Sequence, residues 1–388
     1  MPGAGVPEGV GRRLGAGLHF FMHLYIHVPF CARRCSYCDF AIAVRKAVPS
    51  EAYLEAVLGE WTLWQREEVW DESPRIETIY LGGGTPSRIA PEVIGRLLDR
   101  ITAARPVVPG AEITLEANPD DVTSASARGW KAAGVNRISL GVQSFDPAVL
   151  RWMHRLHSAD QVYRSVAAIR DAGFTNLSLD LIFGLPEAQR RDWANDLEEA
   201  LALEPEHLSL YGLTVEPHTP LGRWTDRGEV KPVGEGRYAA EFLLADEVLR
   251  GRGYEHYEVS NFCRPGHRAV HNAAYWSRSR FIGLGPAAHS GLGRERRWNV
   301  REWAAYQRIV AAGQSPLAGR ELLDEVAVAL EQVYLGLRTE SGAPAGLIPE
   351  DLGRQWRTAG WARPGPDRVR LTPEGWLRLD ALVAAVPG

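Results

Sequence analysis

From Leu24 onward, short apolar runs that end in Gly, Pro or polar residues alternate with longer amphipathic segments. LYIHVPF, IETIYLGGGTP, EITLEANP, RISLGVQSF, NLSLDLIFGLP and HLSLYGLTVE read as strands. Between the first two, SEAYLEAVLGEWTLWQ spaces Tyr53, Leu54, Val57, Leu58, Trp61 and Trp64 at three- and four-residue intervals, which puts them on one helical face. Helical patterns around PEVIGRLLDRI, ASARGWKAAG, SADQVYRSVAAIRDAG and RRDWANDLEEALAL fill the other gaps. Repeated strand-then-helix units imply an α/β chain with a parallel sheet, either open and doubly wound or an incomplete (β/α)6 barrel. Both geometries collect chemistry at the C-terminal ends of the strands. The segments just past those ends are therefore the candidate site: CARRCSYCDF, GGGTP, Glu116-Ala-Asn118-Pro, Gln143-Ser144-Phe145, and Asp180 with the Phe-Gly-Leu-Pro beyond it.

The pattern changes after about Val230, where a helical EGRYAAEFLLADEVLRGRG leads into a stretch dense in His, Tyr and Gly. The expected organisation is a loose Gly/Pro-rich tail over 1–22, a β/α core over 23–232, a His/Tyr-rich extension over 233–300 and a C-terminal domain over 301–388. RVRLTPEGWLRLDALVAAV predicts a strand, turn and terminal helix, so the last domain is expected to be small, helical and winged-helix-like. A winged helix invites DNA binding, yet 44 Lys plus Arg stand against 48 Asp plus Glu, a formal charge of -4. With no clear basic stripe either, nucleic acid is not an expected partner. No apolar run approaches the roughly 20 residues needed to span a bilayer, and the opening lacks the continuous apolar segment of a secretory signal. Only four cysteines in 388 residues make no disulfide scaffold. A reducing cytoplasm is the expected location.

Three of those four cysteines, Cys31, Cys35 and Cys38, follow C-x3-C-x2-C spacing directly after the first strand. Structural zinc takes four closed ligands, so a zinc site would need Cys263 or a histidine as its fourth. Iron–sulfur clusters usually take four thiolates as well. A cubane with one iron left open turns the missing thiolate into a place for an amine and a carboxylate. With Gly-Gly-Gly-Thr-Pro after the second strand and Tyr37 just before the last cysteine, the chain resembles the radical S-adenosylmethionine (SAM) superfamily. That resemblance implies the incomplete (β/α)6 barrel, a [4Fe-4S] cluster on the three cysteines, and SAM held at the open iron. There, an electron from the reduced cluster cleaves a carbon–sulfur bond of SAM.

Along nearly its whole length the chain further resembles the oxygen-independent coproporphyrinogen III oxidase group and its heme-chaperone branch. By motif matching, the resemblance implies SAM contacts at Tyr25, Tyr37, Gly83, Gly84 and Thr85, and at Glu116, Gln143, Arg155 and Asp180 beyond them. On residue type alone, Glu116 serves a turn equally well, Arg155 a solvated helix face and Asp180 a helix cap. Two features separate the branches. The oxidases carry a further cysteine two residues after the third, where this chain has Phe40, and HNAAYW, His271 to Trp276, matches the chaperone signature whose histidine is implicated in heme binding. A neutral imidazole is a good axial ligand, and Tyr275 and Trp276 offer flat apolar faces to a porphyrin. The implied function is a heme chaperone serving acceptor hemoproteins, respiratory and membrane-associated ones included, with an electron donor as a further partner. A porphyrinogen oxidase is the alternative, and a zinc-binding regulator a distant third.

Overall fold

The computed structural model describes residues 21–387, so most of the expected 1–22 tail lies outside the described residues. The predicted strands are β1 (Met22–Val28), β2 (Ile76–Gly83), β3 (Val107–Ala117), β4 (Arg137–Gln143), β5 (Leu177–Phe183) and β6 (His207–Gly212). They pair in chain order and all in parallel. The crossovers are helices α1 (Ser50–Trp64), α2 (Pro91–Ala104), α3 (Ser124–Ala132), α4 (Ala159–Asp171) and α5 (Trp193–Ala202). Capping boxes at Thr123 with Ser126, and at Ser158 with Gln161, start α3 and α4 by satisfying backbone N–H groups that have no partner inside the helix. The α1 face buries Tyr53, Leu54, Val57, Trp61 and Trp64 as its spacing predicts. Burying each large apolar side chain contributes about 1.5–3 kcal/mol.

After α6 (Glu235–Gly251) come β7 (Glu255–Glu258), β8 (Asn261–Cys263), α7 (Val270–Trp276), β9 (Phe281–Leu284), β10 (His289–Leu292) and β11 (Glu295–Asn299). Helix α8 (Trp303–Ala311) then leads to β12 (Leu317–Leu322). The result is one 12-stranded sheet in the order β12-β11-β10-β9-β1-β2-β3-β4-β5-β6-β8-β7. Its edges stay apart, so the six central strands form a partial barrel, and the extension expected over 233–300 contributes strands to the same sheet. The remainder, with α9 (Glu325–Leu337), β13 (Ala343–Pro344), α10 (Glu350–Thr358), β14 (Ala362–Arg363) and β15 (Arg368–Leu371), runs helix, strand, helix and two-stranded wing. Its three strands form a separate small sheet.

Strand residues alternate between two buried faces. Leu24, Ile26, Ile79, Leu81, Ile138 and Leu140 lie under the helices, while His23, Thr78, Glu112, Arg137, Ser178 and His207 point into the barrel and are buried too. Most closed β/α barrels fill that lumen with branched aliphatic side chains. Here it is polar, and buried polar groups need hydrogen-bond partners, so the lumen is laced with side-chain hydrogen bonds.

Candidate functional site

A cavity of about 480 Å3 lies at the C-terminal strand ends, within the roughly 300–1,000 Å3 typical of small-molecule sites. Cys31, Cys35 and Cys38 line it from the loop after β1. Both ends of that loop are pinned, because Phe30–Cys31 pairs in parallel with Ala43–Val44. The Ser36 N–H donates to the Met153 carbonyl at 3.3 Å, which fixes its middle. All three thiols are free and half-buried. Thr85 Oγ1 donates to Cys31 Sγ at 3.3 Å, and Arg155 Nη1 donates to Cys35 Sγ at 3.7 Å.

Burial pushes the Cys31 thiol up, and the Cys38 thiol up to about 11. Such thiols ionise at neutral pH only when a cation compensates the charge, as a metal center does. A cubane takes each thiolate on a different iron, so three thiols carried by one loop can each hold one. The loop therefore fits a cluster. Cys263 is buried on β8 and belongs to the core.

The glycine loop ends β2 where only glycine fits. Gly83 has φ +107°, and a Cβ there would lie 2.5 Å from the His27 ring; one on Gly84 would lie 2.8 Å from the Val28 carbonyl oxygen. The Gly83 N–H donates to Glu116 Oε2 at 3.0 Å while the Tyr80 hydroxyl donates to Glu116 Oε1 at 2.8 Å. Glu116 lines the cavity, and burial pushes its carboxyl up to about 7, with these two donors opposing the rise. Gln143 also lines the cavity, at φ 67°. A register shift between Gly141 and Gln143 causes that left-handed backbone, a bulge that redirects the strand end.

Arg155 is not a solvated helix charge. Its Nη2 donates to Asn118 Oδ1 at 2.6 Å and to the Gly141 carbonyl at 2.9 Å, so its guanidinium spans β4, the Asn118 loop and the cysteine loop. Asp180 caps no helix; both its oxygens accept from Ser139 Oγ, at 3.0 and 2.9 Å, and its oxygen Oδ1 also accepts from Ser178 Oγ at 3.3 Å. Burial raises this carboxyl as well. Tyr37 packs against Val149, Met153 and Ile182 at the cavity wall. Thus Tyr37, Gly83, Gly84, Thr85, Glu116, Gln143, Arg155 and Asp180 are brought together with the three cysteines.

Two candidates are placed elsewhere. Tyr25 does not line the cavity; its ring stacks on Tyr80 with centroids 6.1 Å apart, and its hydroxyl is hydrogen-bonded to His27 Nδ1 at 3.1 Å. His271, on α7, is 1% exposed inside the barrel. Its Nδ1 is bonded to Thr78 Oγ1 at 2.7 Å and its Nε2 to the Tyr275 hydroxyl at 2.7 Å. Burial holds the imidazole well below its usual range, hence neutral. Trp276 packs under the Arg338 guanidinium, 4.6 Å from the ring centroid.

Sequence reasoning alone missed three side chains that shape the site. Tyr80 reads as a strand aromatic and Ser139 as a strand filler, though each orients a cavity carboxylate. His154 lines the cavity at φ 59° with its ring edge against Trp224, and a His between Met and Arg carries no local signal of that.

Residues 25–200 match the radical SAM superfamily, the class that the partial barrel and its cysteine loop define. Relatives reach beyond that segment. The heme chaperone HemW of Mycobacterium tuberculosis (strain CDC 1551 / Oshkosh) is 35% identical over 378 residues, covering 94% of each chain. HemW of Escherichia coli (strain K12) is 36% identical over 269 residues, covering 69% of each. The chain belongs to the HemW family of radical SAM proteins. In three dimensions it matches the coproporphyrinogen III oxidase HemN from Escherichia coli, with a TM-score of 0.79 at 22% identity over 94% of this chain and 90% of that one.

Proposed function

We propose that this protein is a heme chaperone that binds a [4Fe-4S] cluster and SAM in the strand-end cavity and carries heme to acceptor hemoproteins. The observation that carries this reading is the 35% identity, over 94% of both chains, to a relative named heme chaperone HemW. Phe40, at the position where the oxidases hold a further cysteine, points the same way. Cys31, Cys35 and Cys38 hold the cluster, which when reduced supplies the electron that breaks a carbon–sulfur bond of SAM. Glu116 and Asp180 accept hydrogen bonds from SAM hydroxyl or ammonium groups, Arg155 pairs with its carboxylate, and Tyr37 packs on the adenine.

His271 is the heme ligand in this reading. Because both its ring nitrogens are engaged inside the barrel, α7 must leave its seat before the imidazole meets iron. No helix among the described residues is long and apolar enough to cross a membrane, and a cytoplasmic protein that meets membrane-associated respiratory acceptors and an electron donor suits the family. Hemin titration of wild type and His271→Ala tests the ligand. Loss of the bound Soret band in the variant is expected, and an unchanged affinity would remove His271 from the reading.

The alternative reading is porphyrinogen oxidation, because an apolar rim serves either tetrapyrrole. The cavity mouth is rimmed by Phe40, Leu156 and Tyr211, which are 55%, 51% and 43% exposed and suit a tetrapyrrole face. Turnover of coproporphyrinogen III with SAM and a reductant would favour it.

A further inference from the structure

Two carboxylates of the cavity, Glu116 and Asp180, are wired to α7 through the polar lumen. Glu116 is held by the Tyr80 hydroxyl at 2.8 Å, and the Tyr80 ring stacks on the His271 ring, centroids 5.0 Å apart and planes 25° from parallel. Asp180 accepts from Ser178 Oγ, which is bonded to His207 Nδ1 at 2.8 Å; His207 Nε2 is bonded to the Tyr257 hydroxyl at 2.7 Å. That hydroxyl accepts the Ala269 N–H at 3.3 Å, at the entrance of α7. The next two N–H groups, of Val270 and His271, donate to the Glu112 carboxylate at 2.9 and 3.0 Å.

We propose that this network couples the SAM cavity to the seat of the HNAAYW helix, so that SAM holds α7 docked and heme binding, which undocks it, weakens SAM. Tyr80 and Tyr257 are the positioning residues of the coupling. The inference rests on the chaperone reading with His271 as ligand. Its two states are defined by contacts. In the docked state His271 has Thr78 and Tyr275 as partners; in the undocked state it loses both and gains iron. Donors from SAM at Glu116 and Asp180 favour the ionised acids, and an ionised acid is the stronger acceptor for the Tyr80 and Ser178 hydroxyls. Fixing Tyr80 fixes the ring on which His271 rests. Coupling between binding sites is reciprocal, and typical values span about 5- to 150-fold.

The test uses full-length protein with its cluster reconstituted anaerobically and left unreduced, so that SAM is not consumed. Hemin affinity is measured by Soret titration with and without saturating SAM, and SAM affinity by equilibrium dialysis with and without hemin. We expect SAM to weaken hemin at least about 5-fold and hemin to weaken SAM by the same factor. In the double variant Tyr80→Phe/Tyr257→Phe, which keeps both rings, the two factors should fall toward one while hemin still binds. Equal hemin affinities with and without SAM in wild type, alongside lost binding in His271→Ala, would overturn the coupling and leave the ligand assignment standing. Should His271→Ala bind hemin like wild type, the ligand assignment falls, and hydrogen exchange over 270–276 decides the coupling. SAM must then slow exchange in wild type but not in the double variant, and unchanged exchange overturns it.

Discussion

Replacing Glu116 with Gln isolates what the buried carboxylate does for SAM. Its oxygens accept from the Tyr80 hydroxyl at 2.8 Å and the Gly83 N–H at 3.0 Å. A glutamine offers one oxygen and one NH2, and the fixed Gly83 N–H claims the oxygen, leaving Tyr80 to rotate and accept. SAM then meets a neutral amide in place of a carboxylate. A hydrogen bond to a charged group contributes about 1.5–3 kcal/mol, so SAM affinity should fall about 10- to 150-fold. Folding should not suffer, because burial already disfavours the ionised acid, whose titration is pushed up to about 7. The same acid gives a pH signature: wild-type affinity for SAM should rise between about pH 6 and 8 as Glu116 ionises, and Glu116→Gln should lose that part of the rise. Equilibrium dialysis on cluster-loaded protein, with iron and sulfide counted in each sample, reads both effects. An affinity within about twofold of wild type at pH 8, with the cluster intact, would refute the reasoning.

Three other predictions concern stability and the cluster. Glu60 accepts from the Gly285 N–H, Asn299 Nδ2 and the Tyr306 hydroxyl, yet burial pushes its carboxyl from 4.5 up to about 7. Between those values the folded chain keeps a proton that the unfolded chain has released, so stability falls as pH rises through this window, by about 1.4 kcal/mol for each pH unit crossed. Glu116 and Glu258, also near 7, add in the same direction, so Glu60→Gln should remove part of the slope in denaturation series from pH 5 to about pH 8. Glu112→Ala strips the two N–H acceptors from the start of α7; losing a cap costs about 0.5–2 kcal/mol, so hydrogen exchange over 270–276 should quicken about 2- to 30-fold. Thr85→Val removes the O–H donated to Cys31 Sγ, which should shift the cluster potential negative in anaerobic redox titration, since hydrogen bonds to sulfur favour the reduced form.

What could be read from the sequence was local. The strands show as apolar runs, α1 as a three- and four-residue rhythm, and the cluster loop as three thiols within eight residues. Glu116 and Gln143 were accessible because each stands at or next to the C-terminal end of a strand, where parallel folds gather their chemistry, and Thr85 because it lies in the loop just beyond one; Asp180 sits in the middle of its strand and came from the family motif. The lumen was not. Thr78 and His271 are 193 residues apart, and Glu60 meets the Gly285 N–H across 225, so neither pairing leaves a trace in any short window. The alternation of polar and apolar residues in RISLGVQ suggests a half-solvated strand, yet Arg137 and Ser139 are buried, because the polar side faces the lumen of the partial barrel. For the same reason HNAAYW reads as an available ligand set, whereas the folded chain keeps its imidazole inside the barrel.

The chaperone claim is tested most directly by offering the reconstituted protein hemin and coproporphyrinogen III in parallel, with SAM and a reductant present. The account predicts a saturable, His271-dependent Soret complex that an apo-hemoprotein can empty, and no decarboxylation of the porphyrinogen. Sustained porphyrinogen decarboxylation, with hemin left unbound, would contradict it.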